Sequence, residues 1–198
     1  MDIEFHYYIT YLITVRVGFS PEESYIIAYS SQFVDNNIIS YDMGSGTREY
    51  YKNYISQTPN ILKPQKKLFR IYPLFHFVPG GLFEGTSRKD GKLHYLNTTP
   101  DNENSRRILR SALETGNLYR IGIALHAYSN TWAHQNFTGY FDEFNVFKKP
   151  IERAWALLRV LGLPVGHTNA GHDPDKINKN WNDIRLLNET RNNNEIFF

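Results

Sequence analysis

With 198 residues, 41% of them hydrophobic and 15% aromatic, the chain is long enough to bury a full core as one domain, and nothing in its composition marks a linker. A net charge of +2, with Lys63 to Arg70 as the clearest basic cluster, argues against a nucleic-acid surface built on electrostatics, though not against nucleic acid as a partner. The lack of cysteine excludes disulfides, thiolate metal sites and cysteine nucleophiles, so metal chemistry here must use His, carboxylate, amide and backbone donors.

The first residues, Met1-Asp2-Ile3-Glu4, are acidic and carry no basic n-region or small-residue cleavage site, unlike a secretory signal. The apolar stretch from Tyr7 to Val17 is too short to span a bilayer, so a cytoplasmic protein without a transmembrane segment is expected. The sequence leaves the oligomeric state open. Residues 3–17 place Phe5, Ile9, Leu12 and Ile13 at helical intervals, and Gly18 is a natural end. Ser20-Pro21-Glu22-Glu23 spells a capping box with proline at the first helical position, predicting a helix to about Asp35. A turn over Asp42 to Gly46 and a short helix over Thr47 to Ile55 follow.

From Leu68 to Gly81 the chain is expected to be extended, broken by Pro73 and Pro79, as a loop that delivers His76. Arg88 to Thr99 reads as a hairpin-like excursion, so the region 66–99 is the one departure from helix. Asn104 to Thr115 predicts a helix ended by Gly116, and Asn117 caps the next one. Lys149 to Leu163 and Asp175 to Leu187 are two further predicted helices. The tail 188–198 begins with a polar run, Asn188 to Asn194, that is expected to fray. The expected fold is therefore all-α, a single domain over 1–198 with about six to seven helices around a His-rich metal site.

The helix after Asn117 carries the chemistry. In His126-Ala-Tyr-Ser-Asn-Thr-Trp-Ala-His134, positions 126, 130 and 134 are spaced i, i+4, i+8, so two imidazoles and an amide share one helical stripe. Neutral imidazole is the commonest protein ligand for divalent transition metals. Two ordinary core histidines would give the same spacing, but six of the seven histidines (His6, His76, His126, His134, His167 and His172) sit in apolar or Gly-turned contexts. Buried polar rings need partners, and a shared centre supplies them more simply than several separate ones. His94, in a polar loop, is the exception.

The segment from Leu125 to Thr138, with Asn136-Phe137-Thr138 at its end, resembles the core motif of the zinc-dependent phospholipase C and single-strand-specific nuclease superfamily. His6 near the N-terminus, Ser30-Ser-Gln-Phe-Val-Asp35 and Leu74-Phe-His76-Phe-Val appear in the same order as that family's other islands. Within the superfamily the chain also resembles a bacterial group of uncharacterised domains. The resemblance implies a zinc cluster of one to three ions, with another divalent metal as an alternative. Asp35, His76, His126 and residue 130 would hold one ion. His134 with a downstream His and carboxylate would hold a second. His6, the N-terminal amine and carbonyl, and residue 130 would hold a third.

The departures from the pattern matter. Family members follow the downstream His with Asp or Glu four residues later, whereas four after His167 is Gly171 and four after His172 is Lys176. His167, His172, Asp173 and Asp175 therefore compete, with His172 preferred and the two aspartates also suited to capping the last helix. Asp2, four residues before His6, either substitutes for the relatives' processed N-terminal residue or serves as a helix N-terminal acid. Asn130 stands where the family has a bridging Asp. Two dications about 3.5 Å apart repel strongly, and a neutral amide bridges them poorly.

The implied activity is metal-dependent phosphoester hydrolysis, phospholipase C-like or nuclease-like, by a metal-activated water. Small-molecule or lipid phosphoesters and nucleic acid are the candidate substrates. No G-x-S-x-G, P-loop or dinucleotide fingerprint offers another chemistry. His172-Asp173 with a later Asp183 also resembles the His-Asp phosphohydrolases, a weaker match. The competing class is a non-catalytic metal-binding protein whose closed centre stabilises the fold, with Asn130 marking lost catalysis.

Overall fold

The computed structural model describes residues 1–58, 69–82, 88–146 and 165–198. The first helix opens as a π-helical segment, Glu4–Ile9, and continues into α1 (Thr10–Arg16). Helix α2 (Pro21–Asn36) starts at the capping box: Ser20 accepts from the Glu23 amide while the Glu23 carboxylate accepts from the Ser20 amide. Helix α3 (Glu103–Glu114) is capped by Asn102, and α4 (Leu118–Ala133) by Asn117.

Between these helices lies a hairpin of β1 (Asp42–Met43) with β2 (Tyr51–Lys52), and a π-helical turn, Tyr72–His76. A second hairpin, β3 (Asn180–Asn182) with β4 (Thr190–Asn192), leads into the short C-terminal α5 (Asn193–Phe197). Two short 3-10 turns, Glu143–Asn145 and Thr168–Ala170, complete the described elements.

The all-α expectation of six to seven helices is thus corrected: the described residues mix helices with two small antiparallel sheets. Residues 47–55 are not a helix, because Tyr50, Tyr51 and Tyr54 favour a pleated surface, and Tyr51 pairs with Met43. Residues 175–187 are not a helix either. Asn178 adopts φ +59°, and the side chains of Asn193 and Asp183 bond nearby backbone, offering the chain an alternative to the helical ladder. The polar tail is held rather than frayed: Asn193 is buried, donates to the carbonyls of Asp173 and Lys176, and accepts from the Trp181 indole. The excursion over 88–99 does not pair with itself; Arg88 bridges to Leu186, and Thr98 to Pro79. The segment 68–81 is helical rather than extended at Tyr72–His76. The helix expected over 149–163 lies outside the described residues.

One core cluster sits between α2, α3 and α4 on Ile27, Ala112, Ile121 and Ala124. A second joins the chain's two ends, with Met1, Phe5 and Ala133 packed by Trp132, Ile177 and Phe197. Helices α2 and α4 approach through Gly122. A Cβ there would lie 2.3 Å from the Ile27 carbonyl oxygen and 2.6 Å from the Ser30 Cβ. Gly122→Ala is therefore expected to destabilise the protein by about 1–3 kcal/mol, despite alanine's better helix propensity. Chemical denaturation checks this, and a neutral or stabilising result would mean the helix pair can spread apart.

The C-terminal segment is locked onto the loop that follows α4. Arg88 and Arg185 both donate to the Phe144 carbonyl, at 2.9 and 3.0 Å, and lie over the rings of Phe144 and Phe137. Asp90 and Asp183 each take two bonds from one of these guanidinium groups. Asn136-Phe137-Thr138 is part of this framework: Phe137 is fully buried and Thr138 bonds Asn145. No helix among the described residues is long and apolar enough to cross a membrane.

Candidate metal centre

Two side-chain clusters lie beside each other below one cleft. In the first, Asp35 at the end of α2 faces three imidazoles: His76 Nδ1 and His126 Nε2 lie 3.7 Å from Oδ1, and His6 Nε2 lies 4.0 Å from Oδ2. The His76 and His126 nitrogens are themselves 3.3 Å apart, and the His6 ring stacks on His126 with centroids at 3.8 Å. In the second, Asp175 faces His134 Nε2 at 2.9 Å and His167 Nε2 at 3.3 Å. His6, Asp35 and His126, and separately His134, His167 and Asp175, bring their donor atoms close enough to share an ion.

Local structure aims these donors. His6 and His76 both sit in π-helical segments, whose widened turns recur at functional sites. His126 and Asn130 lie on the inward stripe of α4 and His134 at its C-cap, and all three are buried. Three rings spend one nitrogen on a backbone carbonyl: His76 Nε2 donates to Ser56, His134 Nδ1 to His76, and His167 Nδ1 to Gly171. These bonds set the tautomer and leave the opposite nitrogen's lone pair pointing at a carboxylate, the outer-shell arrangement of a ligating histidine. Gly166 makes room for this packing. Its φ is +54°, and a Cβ there would meet the Phe77 ring at 2.3 Å, the ring that stacks on His134.

Asn130 links the clusters. Its Oδ1 accepts from the Met1 amino nitrogen at 2.6 Å, and its Nδ2 donates to His126 Nε2 at 2.9 Å. The Met1 nitrogen also lies 2.9 Å from Asp175 Oδ1.

The electrostatics suit a cation. Burial holds His6 and His126 well below the usual imidazole range, lowers His76 to about 4 and lowers His134 to about 3. All four rings are then neutral, which is the ligating form. Burial pushes the Asp35 carboxyl up to about 6. Burial also raises Asp175, but His167, the Met1 amine and His134 outweigh it and hold that carboxyl well below its ordinary range. Both nitrogens of His6 and Nδ1 of His126 are buried without a hydrogen-bond partner. A buried unpaired polar group costs about 1–3 kcal/mol, so these residues fit a divalent ion with nitrogen and oxygen ligands.

Of the residues singled out in the sequence, His6, Asp35, His76, His126, Asn130 and His134 are brought together. The downstream candidates separate by position. His167 reaches the second cluster, while His172 is exposed at the cleft and Asp173 pairs with Lys179. Asp175 is the carboxylate that faces His134 and His167, and with residues 175–187 not helical it caps no helix there. Asp2 belongs to neither three-residue cluster. Its carbonyl accepts from the Phe5 and His6 amides at the helix start, and burial, with a Glu4 hydrogen bond next, raises its carboxyl to about 6. His94 lies elsewhere, against Asp142. The carbonyls of Ser56 and Gly171, which aim two of the rings, carry no side-chain signal that sequence reading could have found.

The cleft above the two clusters has a volume of about 370 Å³, with Tyr72, Phe77 and Val165 as apolar wall and Gln57, Thr168 and His172 as polar wall. No lysine or arginine is among its described lining residues.

Fold and site together define a mixed helical protein with paired histidine–carboxylate clusters under one opening. The chain belongs to a family of unknown function (DUF6765), whose model matches residues 1–198. No curated protein and no solved structure matches it.

Proposed function

We propose that this protein is a metal-dependent phosphoesterase, holding zinc or another divalent metal on the two clusters, of the kind its resemblance to the phospholipase C and nuclease superfamily implies. The observation that carries the reading is the convergence of imidazoles on two carboxylates: the buried, neutral rings of His6, His76 and His126 around Asp35, and the buried, neutral ring of His134 beside His167 at Asp175. His6, Asp35, His76 and His126 would hold one ion, with Asn130 beside them. His134, His167 and Asp175 would hold another. When bound, such ions supply Lewis-acid polarisation of a phosphoryl oxygen and activation of water near neutral pH.

The chain's own residues shape what can enter. Asp35 and His76 line the cleft together with His134, His167 and Asp175, so both clusters are reachable from it, whereas His6 and His126 are sealed at 0% exposure. Tyr72, Phe77 and Val165 shed water from one side of the opening, while Gln57 and Thr168 offer polar contacts. With no lysine or arginine among the described lining residues, a substrate's negative charge is met by the centre and the Met1 amine beside it. Among phosphoesters, small-molecule and lipid ones suit an opening of this size, and nucleic acid belongs in the same assay panel.

A second reading, a non-catalytic metal-binding protein, is favoured by one feature: Asn130 is neutral, and both of its polar atoms are already engaged. Elemental analysis of gently purified protein, together with assays on aryl phosphates, phospholipid and single-stranded nucleic acid, separates the two. The phosphoesterase reading expects at least one tightly held metal per chain and turnover that a strong chelator abolishes and zinc restores. Full metal loading without turnover on any substrate would leave the non-catalytic reading. Metal-free protein whose melting temperature ignores added zinc would end both.

A further inference from the structure

The outer surface of the first two helices is apolar where a water-facing helix is ordinarily charged. The first helix buries Phe5, His6, Thr10 and Thr14 while exposing Tyr8, Leu12 and Val15. Its inward threonines satisfy their hydroxyls on the helix's own carbonyls, those of Phe5, Thr10 and Tyr11. Helix α2 buries Ser24, Ile27, Ala28, Ser31 and Val34, and presents Tyr25, Tyr29 and Phe33 outward at i, i+4, i+8.

These rings form a ladder. Tyr25 stacks with Tyr29 at 6.1 Å, Tyr29 with Phe33 at 5.9 Å, and Tyr7 meets Tyr25 edge-on at 6.4 Å. From Tyr7 to Val34 the charged residues are Arg16, Glu22 and Glu23, all at the turn end of the helix pair. Past Phe33 the ladder runs into a groove of about 600 Å³ walled by Tyr41, Tyr51, Tyr54 and Tyr119.

We propose that this face seats a second copy of the same chain, forming a two-fold dimer in which each ladder lies against the ladder and groove of its partner. The size fits. Aromatic side chains present ~200 Å² each, and these are about half exposed, so ladder and groove together open on the order of 800 Å² or more. That matches what each partner contributes to an ordinary stable dimer, and exceeds the ~300–600 Å² of a typical monomer's largest patch. Ridge and groove on one face give the self-complementarity that an isologous contact requires. Tyrosine enrichment with charge depletion is the composition of a protein–protein core.

A lipid surface is the other occupant of such faces, and the charges disfavour it. Between Val17 and Thr47 there is no Lys or Arg, while Glu22 and Glu23 are exposed, so an anionic leaflet is repelled. The proposal stands apart from the metal reading and does not depend on it.

Sedimentation velocity of the full chain at micromolar concentration, with Tyr29→Glu and Leu12→Glu as separate variants, tests it. Both side chains are at least half exposed, so circular dichroism should show the variants folded. The expected result is a wild-type dimer that each variant dissociates, raising the dimer Kd by roughly 100-fold. A wild type that stays monomeric at tens of micromolar overturns the proposal, as does a dimer that neither variant weakens. Wild-type monomer that co-sediments with phosphatidylcholine–phosphatidylglycerol vesicles, and loses this in Tyr29→Glu, assigns the face to lipid instead.

Discussion

His126→Ala is expected to cost the protein at least one bound metal per chain and to reduce its phosphoesterase rate by about 100-fold or more. His126 is fully buried, lies 3.7 Å from Asp35 Oδ1 and 3.3 Å from His76 Nδ1, and supports the His6 ring by stacking. Its removal takes one donor and loosens two others. Apart from metal, the cavity should destabilise the fold by about 3 kcal/mol, and the Asn130 amide loses its acceptor. The metal contribution is read by comparing the loaded and chelated forms. Zinc should raise the wild-type melting temperature and should raise that of His126→Ala far less. Equal zinc stabilisation of both proteins, by calorimetry, would remove His126 from the centre.

The second large effect is expected at Asn130, where the sign depends on metal. Asn130→Asp changes almost no volume and little helix propensity, but it adds a third carboxylate, beside Asp35 and Asp175, in a buried position next to His126 and the Met1 nitrogen. Without metal this adds a buried charge and takes the amide donor from His126 Nε2, so the chelated variant should be less stable by about 3 kcal/mol. With zinc present the added anion offsets cation–cation repulsion. The loaded variant should then bind one further metal per chain and hydrolyse phosphoester roughly tenfold faster. Elemental analysis and chelator-controlled assays read both quantities. Unchanged stoichiometry and rate would show that position 130 is not a bridge. A loss of bound metal would show that the amide's donation to His126 is what orients that ring, a remodelled centre rather than a decayed one.

Much of the helical framework is legible in the chain because its causes are local. The Ser20–Glu23 capping box, the Asn117 cap and Gly116 act within a few residues, and helices begin and end where these signals stand. The stripe of His126, Asn130 and His134 is local as well, since the helical repeat alone puts them on one face. Where side chains compete with the backbone, the same reading fails. In the Asn- and Asp-rich stretch 175–194 the helical spacing of apolar residues is incidental, and side-chain bonds from Asn193 and Asp183 hold a hairpin.

The centre itself was decided by tertiary structure. Composition and context single out six histidines, but the lone pair a ring offers depends on which carbonyl takes its other nitrogen. Those carbonyls belong to Ser56, His76 and Gly171, none of which announces itself in the sequence. The choice of His167 over His172, and of Asp175 over Asp173, has the same origin. The 3-10 turn at Thr168–Ala170 and the tether from His167 to Gly171 face one histidine inward and leave the other at the rim. Residue types fix which chemistry this chain can support. The long-range contacts of its backbone fix which atoms meet.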